Sequence, residues 1–227
     1  MKVSAVIPIR YDDCFADDGT PRMLLAGHQL WEITLRQACR SAQLDKVVVA
    51  YDDERFVKHL TPPHGSIEQC LRPKILSSDK STTIDVLAFV ANWLDQKAIS
   101  TDYLMLLEIT HPLRPREIID DLIKNAQSQE SDSLITCHPV HYNFWRRGEA
   151  GQMNRISGAG ENSEVALYEE LTGICSLFRP HFLATNNPFG DQVDIIPIDR
   201  FWATIDVRDD DGRWLAEQYL ERLKIAL

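Results

Sequence analysis

Lys2-Val3-Ser4-Ala5-Val6-Ile7-Pro8-Ile9-Arg10 stands at the head of the chain, and its reading decides the fold. Val3–Ile9 is a short, β-branched apolar run, and a polar, aspartate-rich stretch follows it at once and reaches Leu24-Leu25-Ala26-Gly27. A run of this length and composition predicts the first strand of a parallel sheet. In open α/β sheets ligands sit beyond the carboxyl ends of the strands. A strand that opens directly into a long loop carrying Arg10 and Arg22 therefore points to a site for an anionic ligand. An ordinary surface loop accounts for the same residues, and the segments downstream must decide.

Downstream, helical and strand patterns alternate. Leu30, Ile33, Leu35, Ala38 and Ala42 recur at helical spacing and predict an amphipathic helix over 29–43. Residues 46–50 read as the second strand, and Asp52 and Asp53 after it are either ligand-facing or caps for a helix over 53–60. Thr61-Pro62-Pro63-His64-Gly65 breaks the pattern before a short strand over 66–71. Thr82 and Asp85 are spaced as a capping box ahead of the stripe Ile84, Leu87, Ala91 and Leu94. That helix N-terminus is either an anion site or simply well capped. Residues 103–107 form a continuous apolar run of buried-strand type. Pro115 suits the first turn of a helix with core residues Ile119, Leu122, Ile123 and Ala126.

Residues 133–137 read as the next strand. Periodicity then fades through His141, Asn143, Trp145, Arg146 and Arg147, as expected of a hairpin arm, a lid or a subunit interface at about 139–163. Strand patterns return at 173–178 and 193–198, and a closing helix carries Leu215, Tyr219, Leu223 and Ala226 on one face. The alternation predicts one Rossmann-like α/β sandwich domain spanning 1–227 with an inserted arm.

With 34 acidic against 24 basic residues the formal charge is −10, which argues against a general nucleic-acid or acidic-membrane surface. Any phosphate must be met locally. Cys14, Cys39, Cys70, Cys137 and Cys175 are widely spaced and odd in number, which suits reduced thiols in a cytosolic protein rather than a metal site. No apolar run reaches the ~20 residues of a membrane span or suits a signal peptide, so a soluble, cytoplasmic protein is expected.

Seven collinear segments resemble the sugar-acid cytidylyltransferase family, which includes the CMP-N-acetylneuraminate synthetases. Val6-Ile7-Pro8-Ile9-Arg10 resembles the family's V-I-P-A-R, and Leu25-Ala26-Gly27-His28-Gln29-Leu30 its L-A-G-K-P-L. The segment from Val47 through Asp52-Asp53-Glu54 is similar to V-V-V-S-T-D-D-E. Leu71-Arg72-Pro73 and then Asp79 through Leu87 resemble L-R-P and D-x-A-S-T-I-D-V-L. Leu106 through Arg114 resembles L-L-Q-P-T-S-P-L-R, and Thr204-Ile205-Asp206-Val207 stands opposite S-I-D-I. Weaker echoes lie at Asp132-Ser133, His141 with Asn143, and Gly173.

The resemblance implies a Mg²⁺-dependent reaction in a homodimer: the anomeric hydroxyl of an α-keto sugar acid attacks the α-phosphate of CTP, and pyrophosphate leaves. It also implies a nucleotide-diphospho-sugar transferase sandwich. Such chemistry needs charge neutralised on the triphosphate rather than a covalent nucleophile. By carry-over Arg10 faces the phosphates, with Arg22 as the second loop cation, and Asp206 holds the metal, with Asp209 as a substitute second ligand. Ser81, Thr82, Glu108, Thr110 and Arg114 line the nucleotide and acceptor pocket, Arg114 being structural in the alternative.

The departures fall on the chemistry. Where the family has a G-S-K-type segment and a K-N pair, this chain has Tyr11-Asp12-Asp13-Cys14 and Asp17-Asp18. Each aspartate within ~4 Å of a phosphate would cost about 1 kcal/mol even in water. The second aspartate of the family's D-I-D pair falls on Arg208. Three readings stay open: an active cytidylyltransferase with a rebuilt loop, a family-fold protein that binds nucleotide, sugar acid or a partner without transfer, and a nucleotidyltransferase of another base or acceptor.

Overall fold

The structure, a computed structural model, describes residues 1–60, 67–140, 142, 144–156 and 167–224. Strand β1 (Val3–Ile9) runs into a single helical turn, α1 (Tyr11–Cys14), and a two-residue ladder of β2 (Leu24–Leu25) with β3 (His28–Gln29). Then come α2 (Leu30–Arg40), β4 (Lys46–Tyr51), β5 (Ile67–Leu71), α3 (Thr83–Gln96), β6 (Tyr103–Leu106) and α4 (Ile118–Ser128). The remainder is β7 (Ser133–Val140), β8 (Phe144–Arg147), β9 (Met153–Ile156), β10 (Leu167–Glu170), β11 (Ser176–Phe178), β12 (Val193–Pro197) and α5 (Asp210–Leu223).

Strands β5, β4, β1 and β6 lie side by side and parallel, with Val6 opposite both Val48 and Leu106. Strand β11 is antiparallel between β6 and β7, β10 pairs antiparallel with the far half of β7, and β12 runs parallel to β7. The period of two in β1 divides the core. Val3, Ala5, Ile7 and Ile9 pack with Ile33 and Leu35 of α2, Leu122 of α4 and Ala216 of α5. Val6 faces the other way, against Val90 and Leu94 of α3. All of these side chains are buried, and each large one contributes about 1.5–3 kcal/mol by leaving water. Helices on both faces explain why the strands read as unbroken apolar runs.

Local signals largely hold. Thr82 and Asp85 form the capping box reciprocally. Asp53 caps a 3₁₀ turn at Glu54–His59, its carboxylate accepting the Arg55 N–H, and Arg55 holds that carboxyl at about 2. Three expectations need correction. Helix α2 ends at Arg40, leaving Ala42 outside it. Pro115 lies in a turn before α4, where its carbonyl accepts the Ile118 N–H. On α5 Leu215 and Tyr219 pack half-buried against the core as expected, but the fully buried residues are Ala216 and Leu220, Leu223 is exposed and Ala226 lies outside the described residues. The 61–65 break, His141, Asn143 and residues 157–163 of the expected arm also lie outside the described residues. Of that arm, β8 and β9 pair as an antiparallel hairpin with Trp145 and Met153 exposed. Among the described residues no helix is long and apolar enough to cross a membrane.

Candidate active site

At the carboxyl end of β1 the chain opens a cavity of about 670 Å³. Arg10, Arg22, Arg72, Arg208 and Arg213 line it, against the carboxylates of Asp12, Asp13 and Glu108. Arg10 is the residue before α1 and stands 4.0 Å from Asp79. Arg22 Nη1 donates to the Asp12 carbonyl at 3.1 Å, which pins the far end of the loop to its beginning. Arg72 is buried, donates to the carbonyls of Ile9 at 3.0 Å and Leu76 at 2.7 Å, and pairs with Asp52 at 4.0 Å. Its Nε–H is buried with no protein partner among the described residues.

The aspartate-rich loop is held from beneath by aromatics. Tyr11, Cys14 and Phe15 are buried, and Phe15 stacks on Tyr11 at 5.1 Å and on His59 at 4.1 Å. Anchoring these three turns only Asp12 and Asp13 toward the cavity; Asp17 and Asp18 do not line it. Asp18 instead accepts the Thr20 N–H at 2.9 Å. Burial raises the Asp13 carboxyl above its usual range, with Arg10 opposing. Asp52 accepts the Tyr11 N–H at 2.9 Å, which removes that backbone donor from phosphate binding.

Ser81, Thr82 and Thr110 also line the cavity. The Thr82 N–H is satisfied by Asp85 Oδ2 at 2.7 Å, and the Thr82 hydroxyl both donates to Asp85 Oδ2 and accepts the Asp85 N–H, so this N-terminus is a well-capped helix beside the cavity. Glu108 belongs to this cavity and to a second one of about 260 Å³, and Arg208 is the other shared charge. Glu108 accepts from Thr83 Oγ1 at 3.0 Å and lies 3.4 Å from both Thr110 Oγ1 and Arg208 Nη2. Gly173 permits this packing, because a Cβ there would meet the Glu108 carboxylate at 2.7 Å. The second cavity is acidic, lined by Glu108, Glu169, Glu170 and Asp206. His111 beside it is neutral, burial and then Arg114 and Arg208 holding it down at about 3.

Arg114, read either as a pocket residue or as structural, is a structural clamp. It is buried and lines neither cavity; its guanidinium donates to the carbonyls of Ile174, Glu108 and Gly173 and to Thr34 and Gln37. The residues expected to hold Mg²⁺ do not fit a resident ion. Both oxygens of Asp206 are taken by Arg208, through its backbone N–H at 2.9 Å and Nε at 3.0 Å. Asp209 caps α5 by accepting the Gly212 N–H at 2.7 Å. No cluster of three or more His, Cys, Asp or Glu suited to a metal occurs among the described residues. The cysteines are free, and burial pushes Cys14, Cys70 and Cys175 up to about 12, which leaves them poor nucleophiles.

Sequence reasoning passed over Arg72, Arg213, His111, Glu169 and Glu170 as site residues. Arg72 had a signal, since it follows strand β5 directly, as Arg10 follows β1. Glu169 and Glu170 had none, because their strand pairs with β7 across a long connection.

A mixed sheet with helices on both faces, opening at its strand ends onto these cavities, has the fold of the nucleotide-diphospho-sugar transferases. It is shared by the 4-diphosphocytidyl-2C-methyl-D-erythritol synthase from Anaerococcus prevotii DSM 20548, at 15% identity over 97% of this chain and 96% of that one, with a TM-score of 0.71. A CMP:2-keto-3-deoxy-manno-octonic acid synthetase complexed with CTP shares it at 14% identity, over 97% of this chain and all of the other, with a TM-score of 0.67. A sequence search against curated proteins gave no match. The chain belongs to the cytidylyltransferase family, whose profile matches residues 21–149.

Proposed function

We propose that the protein transfers CMP from CTP, taken up as its magnesium complex, to an α-keto sugar acid of sialic-acid type, with release of pyrophosphate. The observation that carries this reading is the junction of the two cavities at Glu108 and Arg208. The basic cavity suits the triphosphate, and the acidic one suits a polyhydroxylated acceptor whose hydroxyls donate to carboxylates. In an α-keto sugar acid the anomeric hydroxyl sits on the carbon that bears the carboxylate. The attacking oxygen and the acid group therefore reach the junction together, where Arg208 is the one charged cation lining the acidic cavity among the described residues. Arg10, Arg22 and Arg72 neutralise the phosphates, and Ser81, Thr82 and Thr110 supply hydroxyl contacts. We assign the acceptor's hydroxyl proton to Asp206, whose oxygens each keep a lone pair beyond the one that Arg208 engages; burial raises its carboxyl above the usual range, with Arg208 opposing.

Binding without transfer is the second reading, favoured by Asp12 and Asp13 on the wall of the nucleotide cavity. The two separate in one experiment. CTP with Mg²⁺ should raise the melting temperature more than ATP, GTP or UTP, and a panel of sugar acids should then release pyrophosphate. Asp206→Asn should keep the thermal shift and lose the release. A CTP shift without release from any acceptor favours the second reading, and no shift with any nucleotide defeats transfer and leaves the second reading as binding of a sugar acid or a protein partner. We further propose that the arm at about 139–163 pairs two copies of the chain, supported by exposed Trp145 and Met153 on the β8–β9 hairpin. A monomer by light scattering at micromolar concentration would overturn that assignment.

A further inference from the structure

We propose that Arg208 is a tethered cation filling the place of a protein-held divalent ion, so that the metal used in the reaction arrives only with the nucleotide. The inference rests on the nucleotide reading of the larger cavity. Two carboxylates from distant parts of the chain, Glu108 and Asp206, approach one point, and a guanidinium occupies it: Nη2 lies 3.4 Å from Glu108 Oε2 and Nε 3.0 Å from Asp206 Oδ2. Such a pair of carboxylates would otherwise draw a dication; a fixed positive charge between them repels one and engages an oxygen of each.

The position is built rather than incidental. The Arg208 N–H donates to Asp206 Oδ1 at 2.9 Å, and Arg213 Nη1 donates to the Val207 carbonyl at 3.3 Å and the Arg208 carbonyl at 3.4 Å. Behind it Gly212 lies so close to the Asp206 carbonyl that no Cβ fits, which locks the first turn of α5 against this segment. The side chain is nonetheless 65% exposed and lines both cavities. Of the five N–H donors of a guanidinium the two ion pairs engage two, and the remaining three are free for the non-bridging oxygens of the phosphate under attack. An arginine here supplies charge and a fixed plane without the water shell that a magnesium ion keeps.

The test is Mn²⁺ titration of the nucleotide-free protein, with free Mn²⁺ followed by electron paramagnetic resonance. Wild type should bind no Mn²⁺ below about millimolar, whereas Arg208→Asp should gain a site at least about tenfold tighter, lost again when Asp206→Asn is added. In EDTA, CTP binding measured by calorimetry should persist in wild type, fall about tenfold in Arg208→Gln and recover in part in Arg208→Lys. Mn²⁺ binding to the nucleotide-free wild type that Asp206→Asn removes overturns the tethered-cation assignment, whatever CTP does. Equal CTP affinity of Arg208→Gln and wild type in EDTA overturns it as well. Failure of CTP to bind any variant, with or without metal, sinks the nucleotide reading and the assignment with it.

Discussion

The larger cavity sets five arginines against three carboxylates, and the smaller sets four carboxylates against a single arginine, although they share a wall at Glu108 and Arg208. A chain with a formal charge of −10 thus gathers positive charge in one concavity and excludes it from the neighbouring one. The overall charge does little to oppose this, because at physiological salt an exposed charge is screened beyond about 8 Å. Under the proposed function, that change of sign across one wall would set the nucleotide polyanion on one side and the hydroxyl-bearing acceptor on the other.

The contrast breaks most severely at Arg10. Arg10→Ala should lower turnover with CTP by about 10²-fold or more, because a charged donor aimed at developing phosphate charge is lost, while the melting temperature of the free protein stays close to wild type. The matching change on the acidic side, Glu170→Gln, should leave CTP affinity within about twofold. Equal loss of CTP affinity from both variants would show that the two cavities do not divide the substrates.

A smaller effect concerns acid. His111 lies beside the acidic cavity yet stays neutral, with a folded value of about 3 against an ordinary 6.5. Between those values the unfolded chain binds the proton and the folded chain refuses it, so stability falls as pH drops through that window. The loss is roughly 1.4 kcal/mol for each pH unit below 6.5. His111→Gln should flatten that slope in urea denaturation at pH 6, 5 and 4. An unchanged slope would mean that the imidazole is charged in the folded protein, the carboxylates of the smaller cavity outweighing its burial and the two arginines.

How much of this was legible in the sequence divides along the same line as the cavities. β1, β4, the Thr82–Asp85 box and the Asp53 cap were readable because short-range periodicity and capping fix them. Arg10, Arg22, Ser81, Thr82, Glu108 and Thr110 were placed in the basic cavity, where ligands gather beyond strand ends. The acidic cavity was barely legible. Gly173, Glu169 and Glu170 reach it through antiparallel pairings of β10 and β11 that no local pattern announces. Arg114 was left between two roles for a related reason: its position after β6 resembles that of a ligand-binding residue, but besides the Glu108 carbonyl it satisfies carbonyls about sixty residues away, at Gly173 and Ile174. The apparent excess of aspartates in the first loop misled because the sequence shows their number and not their direction, which Tyr11, Cys14 and Phe15 set from below.

The hydrogen bond from the Tyr11 amide to Asp52 has a consequence for how this family member can change over time. A phosphate cradle made of backbone amides is common property of a loop's conformation, and altering it means refolding the loop. Here that amide is committed internally, and the cavity presents guanidinium groups, each specified by one codon, although Arg22, Arg72 and Arg213 also hold backbone carbonyls. Ligand preference in such a site is free to drift by single substitutions while the sheet beneath it stays the same.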